Sequence, residues 1–114
     1  EAGHGQTKTA AEIMALIEAG GDAIAERTGT VFVRLLGAVA GNLALTHLPF
    51  GGSYLIGGVA RAFTPHLGRF GFAEEFRDKG RFSEFMEQFP VFVIEDDYAA
   101  LQGCAAYLET LMAA

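Results

Sequence analysis

The chain has 114 residues, 51% of them hydrophobic and 19% charged, and carries a formal net charge of −6. That length holds one modest core rather than two lobes, and that composition excludes a disordered tail. Eight Lys and Arg scattered along an acidic chain form no basic stripe, so no nucleic-acid partner is expected, while a single cysteine, Cys104, excludes an internal disulfide and fits a reducing cytoplasm.

The chain opens at Glu1 without Met, and Glu-Ala-Gly-His-Gly-Gln-Thr-Lys holds no apolar signal core. A helix beginning soon afterwards predicts a fragment of a longer protein; a chain begun at a domain boundary would look the same. Thr9-Ala10-Ala11-Glu12 has the capping-box pattern, with Thr9 as cap and Glu12 reaching back to its amide. The helix it opens runs to about Glu18 and ends at Gly20-Gly21. Asp22 then caps a longer helix whose apolar positions, among them Ile24, Val31, Leu35, Val39 and Leu43, recur at spacings of three and four. Continuous to Thr46, it spans roughly 35 Å at about 1.5 Å per residue. Gly37 and Gly41 lie one turn apart within it, as do Ala40 and Ala44, which makes a groove where another helix backbone can come close. Glycine inside a helix costs about 1 kcal/mol relative to alanine, so the pair asks for a packing reason.

No charge occurs between Arg34 and Arg61, a span long enough to cross a bilayer. Asn42, Thr46, His47, Pro49 and Gly51-Gly52 divide it into a helix end, a turn and a strand, which lipid would leave with unsatisfied backbone groups. A soluble chain without a membrane partner is therefore expected. Ser53 to Ile56 reads as a short buried strand, Ala60 to Arg69 as a helix, and Phe72 to Arg77 as a short helical piece. Asp78-Lys79-Gly80 is a turn, and Ser83 to Gln88 another short helix. Val91-Phe92-Val93-Ile94 has the unbroken apolar run of a strand covered on both faces. Asp97 can cap a final helix from Tyr98 to Met112. Strand, helices, strand and helix make one right-handed crossover plus a covering helix.

Gly57-Gly58 follows the first strand directly. Two glycines at the carboxyl end of a parallel strand let backbone approach a flat ligand with no Cβ in the way; a plain strand-to-helix turn with positive φ has the same look. Neither Gly-x-Gly-x-x-Gly nor Gly-Lys-Ser/Thr is present. Glu95-Asp96-Asp97 has the carboxylates for Mg²⁺, but helix capping explains them more simply. His4, His47, His66 and Cys104 lack ligand spacing, so no zinc or other metal site is assigned. Ser53 lacks the closing glycine of a nucleophile elbow. Lys79 and Arg81 read as two solvated cations rather than phosphate contacts, and Phe70, Phe72, Phe76, Phe82, Phe85 and Phe89 as core or its cover.

Three segments in order, Ala40-Gly41-Asn42-Leu43-Ala44-Leu45, Gly51 through Val59, and Asp78-Lys79-Gly80-Arg81-Phe82, resemble the C-terminal part of a bacterial-type glucokinase. The resemblance runs from about Thr9 to Leu111 and includes Asp97, Leu101, Gly103, Ala106 and Leu108 on the last helix. It implies membership of the hexokinase, actin and heat-shock-ATPase superfamily. The fold class it implies is α/β, with residues 1–114 forming the C-terminal portion of a ribonuclease-H-like (actin-like ATPase) large lobe, parallel strands covered by helices. It further implies that the full-length protein transfers the γ-phosphoryl of Mg-ATP to the 6-hydroxyl of glucose in the cytoplasm, and it allows a homodimer. Gly57, Gly58 and Val59 would then lie beside the adenosine of ATP, and the long helix would form part of the hinge through Gly37 and Gly41. Such kinases also carry an Asp-x-Gly-Gly-Thr phosphate loop, a catalytic aspartate, a second phosphate loop, and Glu and His residues that hold the sugar. None of these occurs here, so no catalytic residue is assigned, and ATP and Mg²⁺ would be held mainly by parts outside this chain. One departure stands inside the match: Arg61-Ala62 precedes Phe63 where family members often carry Pro-Arg, which shifts the arginine about 100° around a helix. Two other readings stay open, a non-catalytic sugar or nucleotide sensor on the same scaffold and a structural or dimerisation fragment.

Overall fold

Thr9 opens the first helix as its pattern requires: its Oγ1 accepts a hydrogen bond from the Glu12 amide at 3.2 Å, and α1 runs Ala10–Ala19. The return arm from Glu12 is not among the described hydrogen bonds. The computed structural model describes residues 8–113, so the polar opening stretch Glu1–Thr7, with His4, lies outside the described residues. Gly20 ends α1 at φ +75. Asp22 Oδ1 then accepts from the amides of Ile24 and Ala25 at 3.1 and 3.0 Å, satisfying two donors left free at the start of α2 (Ala23–His47). By length and composition α2 is able to cross a bilayer, a test that the core helix of a soluble protein also passes.

The face that α2 buries is not the bulky one its periodicity suggests. Its buried residues are Ala25, Gly29, Val33, Gly37, Gly41 and Ala44, a stripe of small side chains mostly four apart. Val31, Leu35, Val39 and Leu43, expected to face the core, are each more than half exposed. The reason is the short helix α4 (Phe72–Arg77), which lies so close that a Cβ at Gly37 would sit 2.6 Å from the Phe72 carbonyl oxygen, and one at Gly41 2.5 Å from that of Phe76. Backbone meets backbone along a ridge of every fourth residue, so only glycine fits. Arg34 Nε reinforces the contact by donating to Glu75 Oε1 at 2.8 Å, and Lys79 Nζ donates to the Ala38 carbonyl at 3.1 Å.

Against this stripe sits the core, built from Ile17, Val33, Phe63, Phe70, Phe72 and Phe76, with Met86 and Phe89 beneath it. Phe82 stands apart, 43% exposed under the Arg81 guanidinium. His66 is buried between elements: Arg69 Nε donates to its Nδ1 at 3.2 Å, which leaves the proton on Nε2 to donate to Glu18 Oε1 at 3.1 Å and tie α1 to this layer.

Two three-residue strands, β1 (Ser53–Leu55) and β2 (Val91–Val93), pair in parallel with Ser53 opposite Val91 and Leu55 opposite Val93. The small parallel sheet among helices makes the chain α/β, as expected. The covering is one-sided, however. Tyr54 and Phe92, directly opposite, stack on each other at 5.2 Å on a face that no described element covers, and they are 57% and 47% exposed. The expected helix Ala60 to Arg69 is also shorter: α3 (Gly58–Phe63) gives way to a 3₁₀ turn at Thr64–His66. Pro65 has no amide to donate and would clash with the carbonyl four residues back. The stretch from Gly80 to Gln88 likewise forms two 3₁₀ turns, Gly80–Phe82 and Phe85–Gln88. The last helix, α5, spans Ala99–Ala113 and buries none of its residues.

Candidate functional site

The carboxyl ends of β1 and β2 lie side by side, and a final ladder bond joins them, the Ile94 amide donating to the Leu55 carbonyl at 2.8 Å. Beyond that bond each strand turns into a helix. After β1 the turn is Ile56-Gly57-Gly58-Val59, and all four residues are exposed. Gly57 has φ +110, so the turn itself demands glycine there. Gly58 has no positive φ and begins α3 in ordinary helical backbone. A Cβ at either position would meet no atom within 4 Å. Gly57 is thus accounted for by conformation, whereas Gly58 has neither a conformational reason nor, among the described residues, a packing one. Ile56 and Val59, 46% and 57% exposed, flank the pair with apolar surface. The arrangement offers a flat object bare backbone at its centre and hydrocarbon at its edges.

After β2 the turn is Glu95-Asp96-Asp97, and here the expected cap is displaced by one residue. Asp96, not Asp97, caps the helix: its Oδ1 accepts from the Tyr98 amide at 2.8 Å, and its Oδ2 from Gln102 Nε2 at 3.0 Å. Asp97 is directed across the sheet end instead, where its Oδ2 accepts from Arg61 Nη1 at 2.5 Å. The aspartates divide because the Ala99 amide, the one Asp97 could receive two residues on, is already taken by the Asp96 carbonyl at 3.2 Å, which leaves the Asp97 carboxylate free to turn toward Arg61. Among the described residues, no group of three or more His, Cys, Asp and Glu could hold a metal ion.

The remaining residues singled out from sequence do not join this site. Lys79, expected to be solvated, spends its ammonium on the Ala38 carbonyl in the middle of α2, and Arg81 lies over the Phe82 ring. An apolar groove of about 450 Å³, lined by residues such as Leu67, Phe76, Met86 and Phe89, opens between α4 and β2 rather than at the glycine turn. Sequence reasoning missed the Arg61–Asp97 pair, although a signal was available: adjacent parallel strands bring the residues just past their carboxyl ends together.

Comparison with known proteins bears on these observations. A family model described as Glucokinase matches residues 2–111. A glucokinase of Colwellia psychrerythraea is 39% identical over 100 residues, which is 88% of this chain and 30% of that protein. One from Chelativorans is 43% identical over 100 residues, 88% of this chain and 29% of that protein. One from Psychromonas ingrahamii is 45% identical over 82 residues, 72% of this chain and 26% of that protein. The chain therefore spans between a quarter and a third of the length of these curated relatives. No solved structure matches it.

Proposed function

Given that the chain belongs to the glucokinase family, we propose that it forms the C-terminal part of the ribonuclease-H-like large lobe of a sugar kinase, with Gly57, Gly58 and Val59 as a wall against the adenosine of ATP. The observation that carries the assignment of the wall is Gly58, whose missing side chain leaves open space beside the sheet end with no structural demand for it. Ile56 and Val59 suit a purine, since an apolar rim keeps water from a base that meets bare backbone between them. The full-length protein, on this reading, transfers the γ-phosphoryl of ATP to the 6-hydroxyl of glucose in the cytoplasm, with neither nucleic acid nor membrane as partner. A bound Mg²⁺ would supply charge neutralisation at the phosphates, held by residues outside this chain.

The shape of the chain supports its being one part of a larger lobe. Its radius of gyration is 17.0 Å, against about 13 Å for a compact domain of this length. The bare apolar faces of α2 and α5, with Leu35, Leu43, Leu101 and Leu111 all more than half exposed, have the character of surfaces completed by further chain. A role for α2 in lobe closure would be exercised by α2 and α4 as one rigid unit, because α4 already fills the groove at Gly37 and Gly41.

The test is Gly58→Val in the full-length protein. A side chain at this position starts in space open among the described residues and on ordinary backbone, so the variant is expected to fold. The expected result is an ATP KM raised about tenfold or more, a loss of about 1.4 kcal/mol of binding, with the glucose KM within about twofold. A folded variant with an unchanged ATP KM would show Gly58 to be part of a plain turn.

A further inference from the structure

We infer that Arg61 and Asp97 act as a positioning pair that holds the glycine turn at the height ATP requires, an inference that rests on the adenosine wall proposed above. The inference starts from what holds this edge of the sheet together. The ladder between β1 and β2 ends with the Ile94 amide on the Leu55 carbonyl, before either turn begins. Among the described residues, the only polar side-chain contact joining α3 to the β2–α5 turn is Arg61 Nη1 on Asp97 Oδ2 at 2.5 Å. The β1–α3 turn is therefore clasped at its base by a ladder bond and at its far side by an ion pair, with Gly57 and Gly58 between.

Both members of the pair are coupled to the backbone they would position. The Arg61 amide donates to the Gly57 carbonyl at 3.0 Å, so Arg61 stands one helical turn beyond the glycine and any tilt of α3 carries Gly57 and Gly58 with it. Asp97 is adjacent to Asp96, which is committed on both carboxylate oxygens to the start of α5. The aspartate side chain is thus offered from a fixed turn rather than a loose one. The helix it restrains needs such help: α3 is only six residues long and runs into a 3₁₀ turn at Pro65. Arg61 and Asp97 touch no ligand on this account; they act through the geometry of Gly57-Gly58-Val59. Each is about half exposed, which limits the pair to the modest strength of a surface ion pair and makes a graded effect on affinity the expectation, not loss of the fold.

The experiment compares Arg61→Ala, Asp97→Asn, the exchanged double variant Arg61→Asp with Asp97→Arg, and Gly58→Val, all in the full-length protein, by steady-state kinetics and thermal melting. Each single variant is expected to raise the ATP KM about three- to fivefold, with kcat and glucose KM within twofold and melting unchanged within about 2 °C. The exchanged pair is expected to recover most of the ATP affinity. Five results would overturn the inference. If Gly58→Val raises the ATP KM but the single variants do not, the wall stands and the pair is not its support. If Arg61→Ala weakens ATP while Asp97→Asn does not, the arginine contacts the nucleotide itself. If the exchange fails to recover affinity, or if the losses fall equally on glucose KM and melting, the pair is merely structural. If Gly58→Val leaves ATP unaffected, the wall falls, and the pair's role with it.

Discussion

The tightest glycine position among the described residues yields the sharpest prediction, because the same chemical change should have opposite signs at two glycines. Gly41→Ala places a methyl group 2.5 Å from the Phe76 carbonyl oxygen and 2.6 Å from Lys79 Cε. Ordinary contact begins near 3.4 Å, so α4 must retreat by about 0.9 Å. The lysine can swing aside, but only by giving up its bond to the Ala38 carbonyl, whereas the Phe76 carbonyl belongs to α4's own backbone. Overpacking of this kind costs about 1–3 kcal/mol, and alanine returns about 1 kcal/mol of helix propensity. With the weakened lysine bond included, the net is a destabilisation of about 1–2 kcal/mol. Gly103→Ala, within α5 and with no atom of the described residues within 4 Å, should instead stabilise its helix by up to about 1 kcal/mol. Hydrogen exchange read by mass spectrometry reports both locally in the full-length protein. Peptides covering α2 and α4 should exchange roughly 5- to 30-fold faster in Gly41→Ala, and those covering α5 more slowly in Gly103→Ala. Equal protection gains at both sites would refute the close backbone packing of α2 on α4.

Asp22→Ala removes the acceptor for two amides at the start of α2 and should cost about 1 kcal/mol, seen as faster exchange over residues 23–27. The 114-residue chain alone should form no ADP from ATP and glucose in a coupled assay, since no catalytic base or phosphate loop is assigned within it; glucose-dependent ADP from chain free of host kinase would refute this.

What the sequence disclosed was local, and what it withheld depended on distance. Thr9 and Asp22 cap where their side chains and spacing say they should, and the bounds of α1, α2 and α4 follow within a residue or two. Pro65 is an equally local signal, and it ends the α-helix at Phe63 where apolar spacing alone carries it to Arg69. On α2 the groove at Gly37 and Gly41 was legible from the spacing of its small residues, and α4 backbone fills it; what the spacing of the bulky residues did not disclose is that Val31, Leu35, Val39 and Leu43 stay exposed, since hydrophobic periodicity assumes that bulky residues go inward. The exposure of Phe92 was equally hidden: an apolar run looks the same in a strand covered on both faces as in one whose second face is bare. At the candidate site, the position of the glycine pair was legible and the ion pair across it was not, since Arg61 and Asp97 are 36 residues apart and meet only through the register of two short strands.

Size, rather than hydrophobicity, also decides which glycine is informative. Gly57 is explained by its φ of +110, and Gly37 and Gly41 by the carbonyls that crowd them. These residues would be glycine whether or not anything were bound. Gly58 belongs with Gly51, Gly68 and Gly103, which have neither positive φ nor a neighbour within 4 Å. Within that group Gly58 alone follows the carboxyl end of a parallel strand and lies between exposed Ile56 and Val59. Parallel strands present ligands at that end, because their connections leave a crevice there that helices do not fill. The case for a nucleotide wall therefore rests on one residue whose identity nothing among the described residues requires, and not on the glycine pair as a motif. Its partner Gly57 is needed for the turn that brings Gly58 to the surface, which is why the two occur together.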